Sequence, residues 1–251
     1  MSKSSGLGAA LLVDEYVLSN DVGAVTQIAC PVGQFNVTGL DKEAIERVEL
    51  VRDGLIDYTP FYNPAADAAH AVLSTLPTDD RITTFLHRNQ QGAAAFSLSG
   101  KQINYDGNRA ATGELTFAVS NVGNGFGAEW GIVLTDDGIT TSAGPENLAG
   151  WDYGATVGTT AFGLQAYLHV AAITGTDADI SIEHSDDDGA GDPYTTVTGA
   201  TFTTVTGAGK ERIATSATES IKRWLRVAIT GTYSDLQFLV TVNRNLTATE
   251  F

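Results

Sequence analysis

Apolar residues occupy every second position in several segments of the second half of the chain. The clearest case is residues 164–170, where four aliphatic side chains alternate with Gln165, Tyr167 and His169. A period of two is typical of a strand with one buried face. Further short runs of this kind lie at 180–182, 194–197, 201–205, 224–229 and 236–242. Clusters of Gly, Asp and Ser separate them, so this region predicts an antiparallel β-sandwich or barrel of half-buried strands.

The first half of the chain is also rich in strand-like segments, at 55–61, 81–87, 93–99 and 114–120. Residues 63–77 differ from these because they are rich in alanine, with Pro64 near the start and Pro77 at the end. This pattern predicts a helix near 64–76. Residues 41–48 begin with Asp41 and are compatible with either two helical turns or a strand.

A region of low periodicity, rich in Gly, Asp and Ser, lies between Thr135 and Gly154. Such composition is typical of an exposed connection. We therefore predict a first β domain over residues 1–140, a linker over 141–153, and a C-terminal antiparallel β-sandwich domain over 154–251.

Composition narrows the possible functions. The chain has 251 residues, 14 Lys and Arg against 30 Asp and Glu, and a formal net charge of -16. This excess of negative charge disfavours binding to DNA grooves or to anionic membranes. No apolar run approaches the roughly 20 residues that a membrane span requires, and the first residues lack the pattern of a signal peptide. Cys30 is the one cysteine, so neither an internal disulfide nor a cysteine cluster is expected.

The titratable residues do not form a recognisable catalytic pattern. No two histidines have the spacing of a helical zinc site, and there is no Gly-x-Ser-x-Gly motif. Asp53 and Asp57 are the nearest approach to a carboxylate pair, and we interpret both as solvent-facing strand residues. The four histidines, which we interpret as structural, are His70, His87, His169 and His184.

Four local motifs also have simple structural interpretations. Gly123–Gly127 lacks the βαβ context of a dinucleotide loop and predicts a turn. The acidic segment 186–192 lacks the first and last carboxylates of an EF-hand and predicts a hairpin turn. Trp224 suits a sugar-stacking platform or a core, of which we favour the core. The glycosylation patterns at 36–38 and 245–247 are interpreted as strand residues. We therefore predict no catalytic, cofactor-binding or metal-ligating residue, no cofactor, and no enzymatic activity.

A set of short segments spread over most of the chain carries a resemblance to a known family. The segments are 1–9, 14–23, 38–42, 52–54, 61–65, 73–78, 101–106, 124–127, 162–167, 236–238 and 243–248. They resemble the tail structural proteins of long-tailed bacteriophages that infect actinobacteria, and among these they are most similar to the major tail, or tail tube, protein. No segment carries a catalytic signature.

The resemblance implies a mainly β chain: a tail-tube-like β-barrel or sandwich with a flanking α-helix, followed by the second sandwich, which would decorate the outside. It further implies a virion protein, made in the bacterial host cytoplasm, whose subunits form rings, usually hexamers, that stack into a tube. The implied partners are further copies of the chain and other tail proteins such as the tape measure and the tail terminator. DNA would pass through without specific binding, because an acidic wall repels phosphate.

Three other functions remain open at this point. A capsid decoration or minor tail protein would have the same composition. A non-enzymatic carbohydrate-binding sandwich would use Trp224 or the acidic segment 186–192 and would be monomeric. A hydrolase would need a carboxylate cleft, for which the sequence offers no candidate pair.

Overall fold

The computed structural model of the chain describes residues 5–248 and consists mainly of antiparallel strands, as predicted. Residues 1–4, which belong to the first resembling segment, and residues 249–251 lie outside this range. The elements in chain order are β1 (Ala10–Val13), β2 (Tyr16–Val17), β3 (Val22–Ala29), β4 (Val32–Asn36), β5 (Arg47–Arg52), β6 (Leu55–Pro60), α1 (Ala69–Leu73), β7 (Arg81–Leu86), β8 (Ala94–Gln102), β9 (Asp106–Arg109), β10 (Leu115–Gly123), β11 (Glu129–Val133), β12 (Thr140–Ser142), β13 (Glu146–Asn147), β14 (Trp151–Asp152), β15 (Leu164–Ser185), β16 (Thr195–Thr201), β17 (Gly209–Ala214) and β18 (Trp224–Arg244).

The chain divides into two compact units. The larger unit comprises Met1–Asn20, Ile82–Ser97 and Trp130–Phe251, and the smaller unit comprises Asp21–Arg81 and Leu98–Glu129.

The larger unit is built on the long antiparallel strands β15 and β18, which pair over their whole length. β17 pairs with the first half of β15 and β16 with its second half, while β11 to β14 pair with β18. The register between β15 and β18 shifts on both sides of Gly175, which has a φ of 153°. A Cβ atom at this position would lie 2.4 Å from the Cα atom of Tyr233. The bulge therefore requires glycine, and it divides the β15–β18 pair into halves with different neighbours.

The first half of β15 is buried on both faces. Its aliphatic residues join the main core of the unit, as the alternation predicts. The intervening Gln165, Tyr167 and His169 are buried as well, so the prediction of a half-buried strand is wrong here. The polar bonds of His169 explain the difference, because its ring contacts Thr84 of β7 and the backbone of Asp14 after β1.

The smaller unit contains a sheet in which β6 pairs with β3 and β10, and β10 also pairs with β8 and β9. β6 alternates between half-buried and buried positions, with Ile56 and Tyr58 almost fully buried. The helix α1 contributes Ala69, Val72 and Leu73 to the buried side chains of this unit. β4 and β5 form a separate two-stranded sheet.

The helix is shorter than the predicted 64–76 and spans only Ala69–Leu73. Asp67 and Leu76, on either side, have φ values of 61° and 43°, which a right-handed helix does not allow. The helix begins at Ala69, whose backbone N–H donates a hydrogen bond of 2.9 Å to Oδ2 of the distant Asp21. Tertiary contacts therefore override the alanine-rich pattern.

The two compact units do not follow the predicted boundaries. Residues 1–140 are divided between both units. Residues 141–153, which we predicted as a linker, include β13, β14 and part of β12, all of which pair with β18. Low hydrophobic periodicity did not signal these strands because they are only two or three residues long. That residues 154–251 fold independently remains a prediction.

Candidate assembly interface

β4 and β5 form an antiparallel ribbon, which pairs with no other strand within residues 5–248. At its base, the Asp53 N–H donates a hydrogen bond of 3.0 Å to the Pro31 carbonyl. Every residue of both strands is exposed. A two-stranded ribbon by itself is marginally stable in water, so a contact that covers it would stabilise it substantially.

One face of this ribbon is apolar. Phe35 lies directly opposite Val48, and because side chains alternate along a strand, Val37 and Leu50 share this face with them. The exposed fractions of Phe35, Val37, Val48 and Leu50 are 60%, 43%, 49% and 51%. We call these four residues the apolar ribbon face. Large apolar side chains grouped in this way at the surface mark interaction sites or aggregation-prone strands.

The opposite face carries both signs of charge and, near its base, the exposed Val51. Gln34 pairs with Glu49, and Asn36 pairs with Arg47. Such a face can remain in water while the apolar ribbon face is covered, so the ribbon has a defined orientation for docking.

Side-chain hydrogen bonds close the tip of the ribbon. The Thr38 hydroxyl donates to Asn36 Oδ1 at 2.6 Å and accepts a bond of 2.8 Å from the Glu46 N–H. Asn36 and Thr38 are the polar residues of the glycosylation pattern that we interpreted as strand residues. Asn36 does end β4, and Thr38 follows in the loop. Of the two structures compatible with residues 41–48, the strand begins at Arg47, and residues 41–46 form the connecting loop rather than a helix.

A second exposed group of aromatic residues lies elsewhere in the smaller unit. The rings of Tyr105 and Phe117 stack with centroids 4.1 Å apart, and His70 lies between Tyr62 and Tyr105, at 4.8 and 5.7 Å from their ring centroids. His70 Nδ1 lies 3.1 Å from the Tyr105 hydroxyl. Partial burial raises the pKa of Tyr105 to about 12, so its hydroxyl remains protonated and able to donate near neutral pH. The rings of this cluster pack against one another.

The four histidines are dispersed over the fold. His70 belongs to the aromatic cluster of the smaller unit, and His87 follows β7 in the larger unit. His169 and His184 both lie on β15, fifteen positions apart along the strand. Within residues 5–248, no group of three His, Cys, Asp or Glu side chains is placed to hold a metal ion.

The paired-carboxylate candidates also do not converge. Asp53 Oδ1 accepts a hydrogen bond of 2.7 Å from the Gly54 N–H in the turn after β5, whereas Asp57 lies within β6. Gly123 ends β10, and the residues after it form the predicted turn to β11, with Gly125 at a φ of 78°.

The acidic segment 186–192 is the turn of the β15–β16 hairpin, as predicted. Its carboxylates accept hydrogen bonds from backbone N–H groups of the same turn. The backbone N–H groups of Asp192 and Gly191 lower the pKa of Asp187 by donating to it, and the side chain of Lys222 lowers the pKa of Asp192. These groups are committed to the folding of the hairpin.

Trp224 does not belong to the core that we favoured for it. Its side chain is partly buried outside the main core cluster of the larger unit. The Arg223 guanidinium lies 5.6 Å from the indole centroid and forms a two-point ion pair with Asp152. The backbone of Gly150 also approaches the ring, since a Cβ atom there would lie 3.3 Å from Trp224 Cε3.

Sequence reasoning missed the apolar ribbon face. Its signal was present as alternation in Phe35-Asn36-Val37 and in Val48-Glu49-Leu50. This pattern is the same as that of a strand packed on a core, because the sequence records which side is apolar and not what covers it.

None of the described residues 5–248 forms a helix that is long and apolar enough to cross a membrane. No protein-family model and no curated protein sequence matches the chain.

Solved structures of a GTA particle tail, a phage hub protein and a phage baseplate are similar to the chain. The tail of an empty GTA particle, determined with C6 symmetry, is 14% identical and covers 51% of this chain and 98% of its own, with a TM-score of 0.40. The SPP1 Dit protein, a hub of the adsorption apparatus in phages that infect Gram-positive bacteria, is 12% identical and covers 94% of this chain and 98% of its own, with a TM-score of 0.32. A phage p2 baseplate structure is 8% identical with the same coverages and a TM-score of 0.34. At TM-scores this low, the likenesses carry no argument about what this chain does.

Proposed function

We propose that the chain is a structural component of a bacteriophage tail and, more specifically, a tail tube subunit that forms stacked rings around a conduit for DNA. The observation that carries this proposal is the uncovered apolar ribbon face, Phe35, Val37, Val48 and Leu50. A projecting ribbon with one apolar face suits a subunit that is completed by its neighbours. The resemblance of the sequence to tail tube proteins supplies the kind of assembly.

The ribbon favours a contact between different surfaces of successive copies. A ribbon that docks on another part of the next subunit makes a head-to-tail contact, which generates a closed ring or an open helical tube. The resemblance implies six subunits for each ring, and the tape measure and tail terminator as further partners.

The charge of the chain suits a passage for DNA. A formal net charge of -16 leaves little scope for a continuous cationic surface, so DNA phosphates would be repelled rather than held by counterion release. Several of the basic side chains are also engaged in ion pairs within the subunit, including Lys210 with Asp14 and Arg226 with Glu183.

The carbohydrate-binding alternative has less support. The carboxylates of Asp187 and Asp192 accept hydrogen bonds from their own turn, and Trp224 is partly covered by Arg223 and Gly150. A sugar-stacking residue needs a free ring face. Another virion role, such as capsid decoration or a minor tail component, would use the same ribbon and is distinguished by the form of the assembly.

Electron microscopy of the concentrated protein tests the proposal. We expect rings with a central opening, or tubes made of stacked rings, in negative stain. A mobility-shift assay with duplex DNA should show no complex even at low salt, where binding by cationic patches is strongest. A protein that stays monomeric at high concentration would contradict the assembly, and tight, salt-sensitive DNA binding would contradict the conduit.

A further inference from the structure

A line of hydrogen bonds crosses the interior of the larger unit. His169 Nδ1 lies 2.5 Å from the carbonyl oxygen of Asp14, and His169 Nε2 lies 2.8 Å from Thr84 Oγ1. Thr84 Oγ1 is 3.0 Å from Ser97 Oγ, which is 3.0 Å from Thr241 Oγ1. All five residues are buried. The line joins the turn between β1 and β2 to β15, β7, β8 and β18, and we call it the His169 chain.

The chemistry of the end groups fixes the direction of every bond. A carbonyl oxygen can only accept, so His169 Nδ1 must carry the hydrogen that it donates to Asp14. In a neutral imidazole, Nε2 is then an acceptor, and the Thr84 hydroxyl must donate to it. Ser97 consequently donates to Thr84, and Thr241 donates to Ser97. The neutral ring is therefore the form that satisfies the His169 chain.

A proton added to Nε2 reverses this order. Nε2 then becomes a donor, so Thr84 must accept from it and donate to Ser97, which must donate to Thr241. Within residues 5–248, Ser97 is the one hydrogen-bond partner of the Thr241 hydroxyl, so the last donor would be left buried without a partner. Such a group costs free energy comparable to a lost hydrogen bond.

The charged groups near the ring do not offset the free-energy cost of protonating it. Two charged groups face it, the carboxylate of Asp14 and the ammonium of Lys210, and they are ion-paired with each other at 2.5 Å. β7, β8 and β18 contribute the hydroxyls of Thr84, Ser97 and Thr241 to the His169 chain. Burial lowers the pKa of His169 to about 4, and the positive charge of Lys210 lowers it further. The hydrogen bond to the Asp14 carbonyl and the negative charge of Asp14 act in the opposite direction.

The bond from His169 holds a strained turn. Asp14 has a φ of 56°, a left-handed conformation that is uncommon for a residue with a side chain. Its side chain is tied to the same unit, because Asp14 Oδ1 accepts a bond of 2.9 Å from the Ile82 N–H. The turn between β1 and β2 thus depends on several polar contacts, and opening it would let water reach the buried His169 ring.

We propose that the His169 chain is an acid-sensitive latch, in which the neutral ring fits the closed β1–β2 hairpin and a proton on Nε2 favours its opening. The protonated ring keeps its bond to Asp14, but it is a buried charge and it leaves the Thr241 hydroxyl without an acceptor; opening the hairpin lets water reach the ring. The latch is independent of the proposed role in a tail. It predicts a local opening of residues 10–17 in mild acid, while the β15–β18 pair remains folded.

Hydrogen exchange read by mass spectrometry on the full chain tests this proposal. After correction for intrinsic exchange rates, the protection of residues 10–17 should fall about tenfold or more between pH 7 and pH 4, with little change in residues 224–232. The variant His169→Asn keeps an N–H donor for the Asp14 carbonyl and cannot titrate, so its protection of 10–17 should not depend on pH. His184→Asn, which removes another histidine from the same strand, is the matched control and should keep the wild-type profile.

NMR titration of the wild-type histidines provides a test that does not depend on whether a variant folds. The imidazole of His169 should titrate with the same midpoint as the loss of protection at residues 10–17. Unchanged protection at pH 4 would overturn the proposal, as would a midpoint that follows His184 or a His169→Asn protein that still opens in acid.

Discussion

Replacing Phe35 and Leu50 by serine should weaken assembly without unfolding the subunit. Both residues belong to the apolar ribbon face, and neither contributes to the buried cores of the two units. Exposed positions of this kind usually change the free energy of unfolding by less than about 0.5 kcal/mol. We therefore expect the melting temperature of the dilute variant to stay close to that of the wild type.

The effect on assembly can be worked from the exposed fractions. Full burial of a Phe or Leu side chain stabilises by about 1.5–3 kcal/mol. Phe35 is 60% exposed and Leu50 is 51% exposed, so a neighbour that covers both gains about 2 kcal/mol from them. The loss of this free energy weakens each subunit contact about 30-fold.

Sedimentation velocity over a series of protein concentrations measures this shift directly. The matched control carries Gln34→Ser and Glu49→Gln, which change the directly paired residues on the polar face of the same ribbon. The control should assemble at nearly the wild-type concentration, and the serine variant should need a concentration at least tenfold higher. If both variants assemble like the wild type, the ribbon is not the contact, and if the serine variant melts early, the face is part of the fold.

Four further predictions concern stability, salt and domain structure. The pKa of His169 is about 4 in the folded protein, and that of an unfolded histidine is about 6.5. The unfolded state therefore binds the proton first, and the free energy of unfolding measured in urea should fall by about 3 kcal/mol between pH 6.5 and pH 4. His184, whose pKa is also lowered by burial, should add to this loss. Asp21→Ala removes the acceptor for the Ala69 N–H and for Asn63 and should cost about 1–2 kcal/mol in the same assay. Light scattering should rise with added NaCl, because salt screens repulsion between subunits of net charge -16. A fragment of residues 154–251 should retain its strands, as measured by circular dichroism. A fragment of residues 130–251 should melt at a higher temperature than the shorter one, because β11 to β14 pair with β18. Equal melting temperatures of the two fragments would contradict this.

The strands of the larger unit show what alternation of apolar and polar residues can predict about burial and what it cannot. The alternation at 164–170 correctly predicted a strand and identified its core face. It did not predict that Gln165, Tyr167 and His169 on the other face are buried too. His169 contacts Asp14 near the start of the chain, whereas Gln165 and Tyr167 contact Asn243 and Arg212. No local pattern records such distant contacts.

The helix illustrates the opposite error. An alanine-rich segment between two prolines has a high intrinsic preference for helix, yet only Ala69–Leu73 adopt it. The preference amounts to fractions of a kcal/mol for each residue, and the hydrogen bonds of Asp21 with Asn63 and Ala69 outweigh it. Those partners lie more than forty positions apart, beyond the reach of a local window.

Two opposing forces act on a subunit with this surface. The apolar ribbon face attracts a neighbour only at contact, because apolar burial scales with the area removed from water. Repulsion between subunits of net charge -16 acts over about 10 Å at moderate salt. Dilute subunits therefore stay apart, whereas a subunit already held at a growing end can reach the apolar contact. In the proposed tail tube, this balance would keep free subunits apart and favour their addition to an existing ring, which is the behaviour that ordered growth of a tube requires.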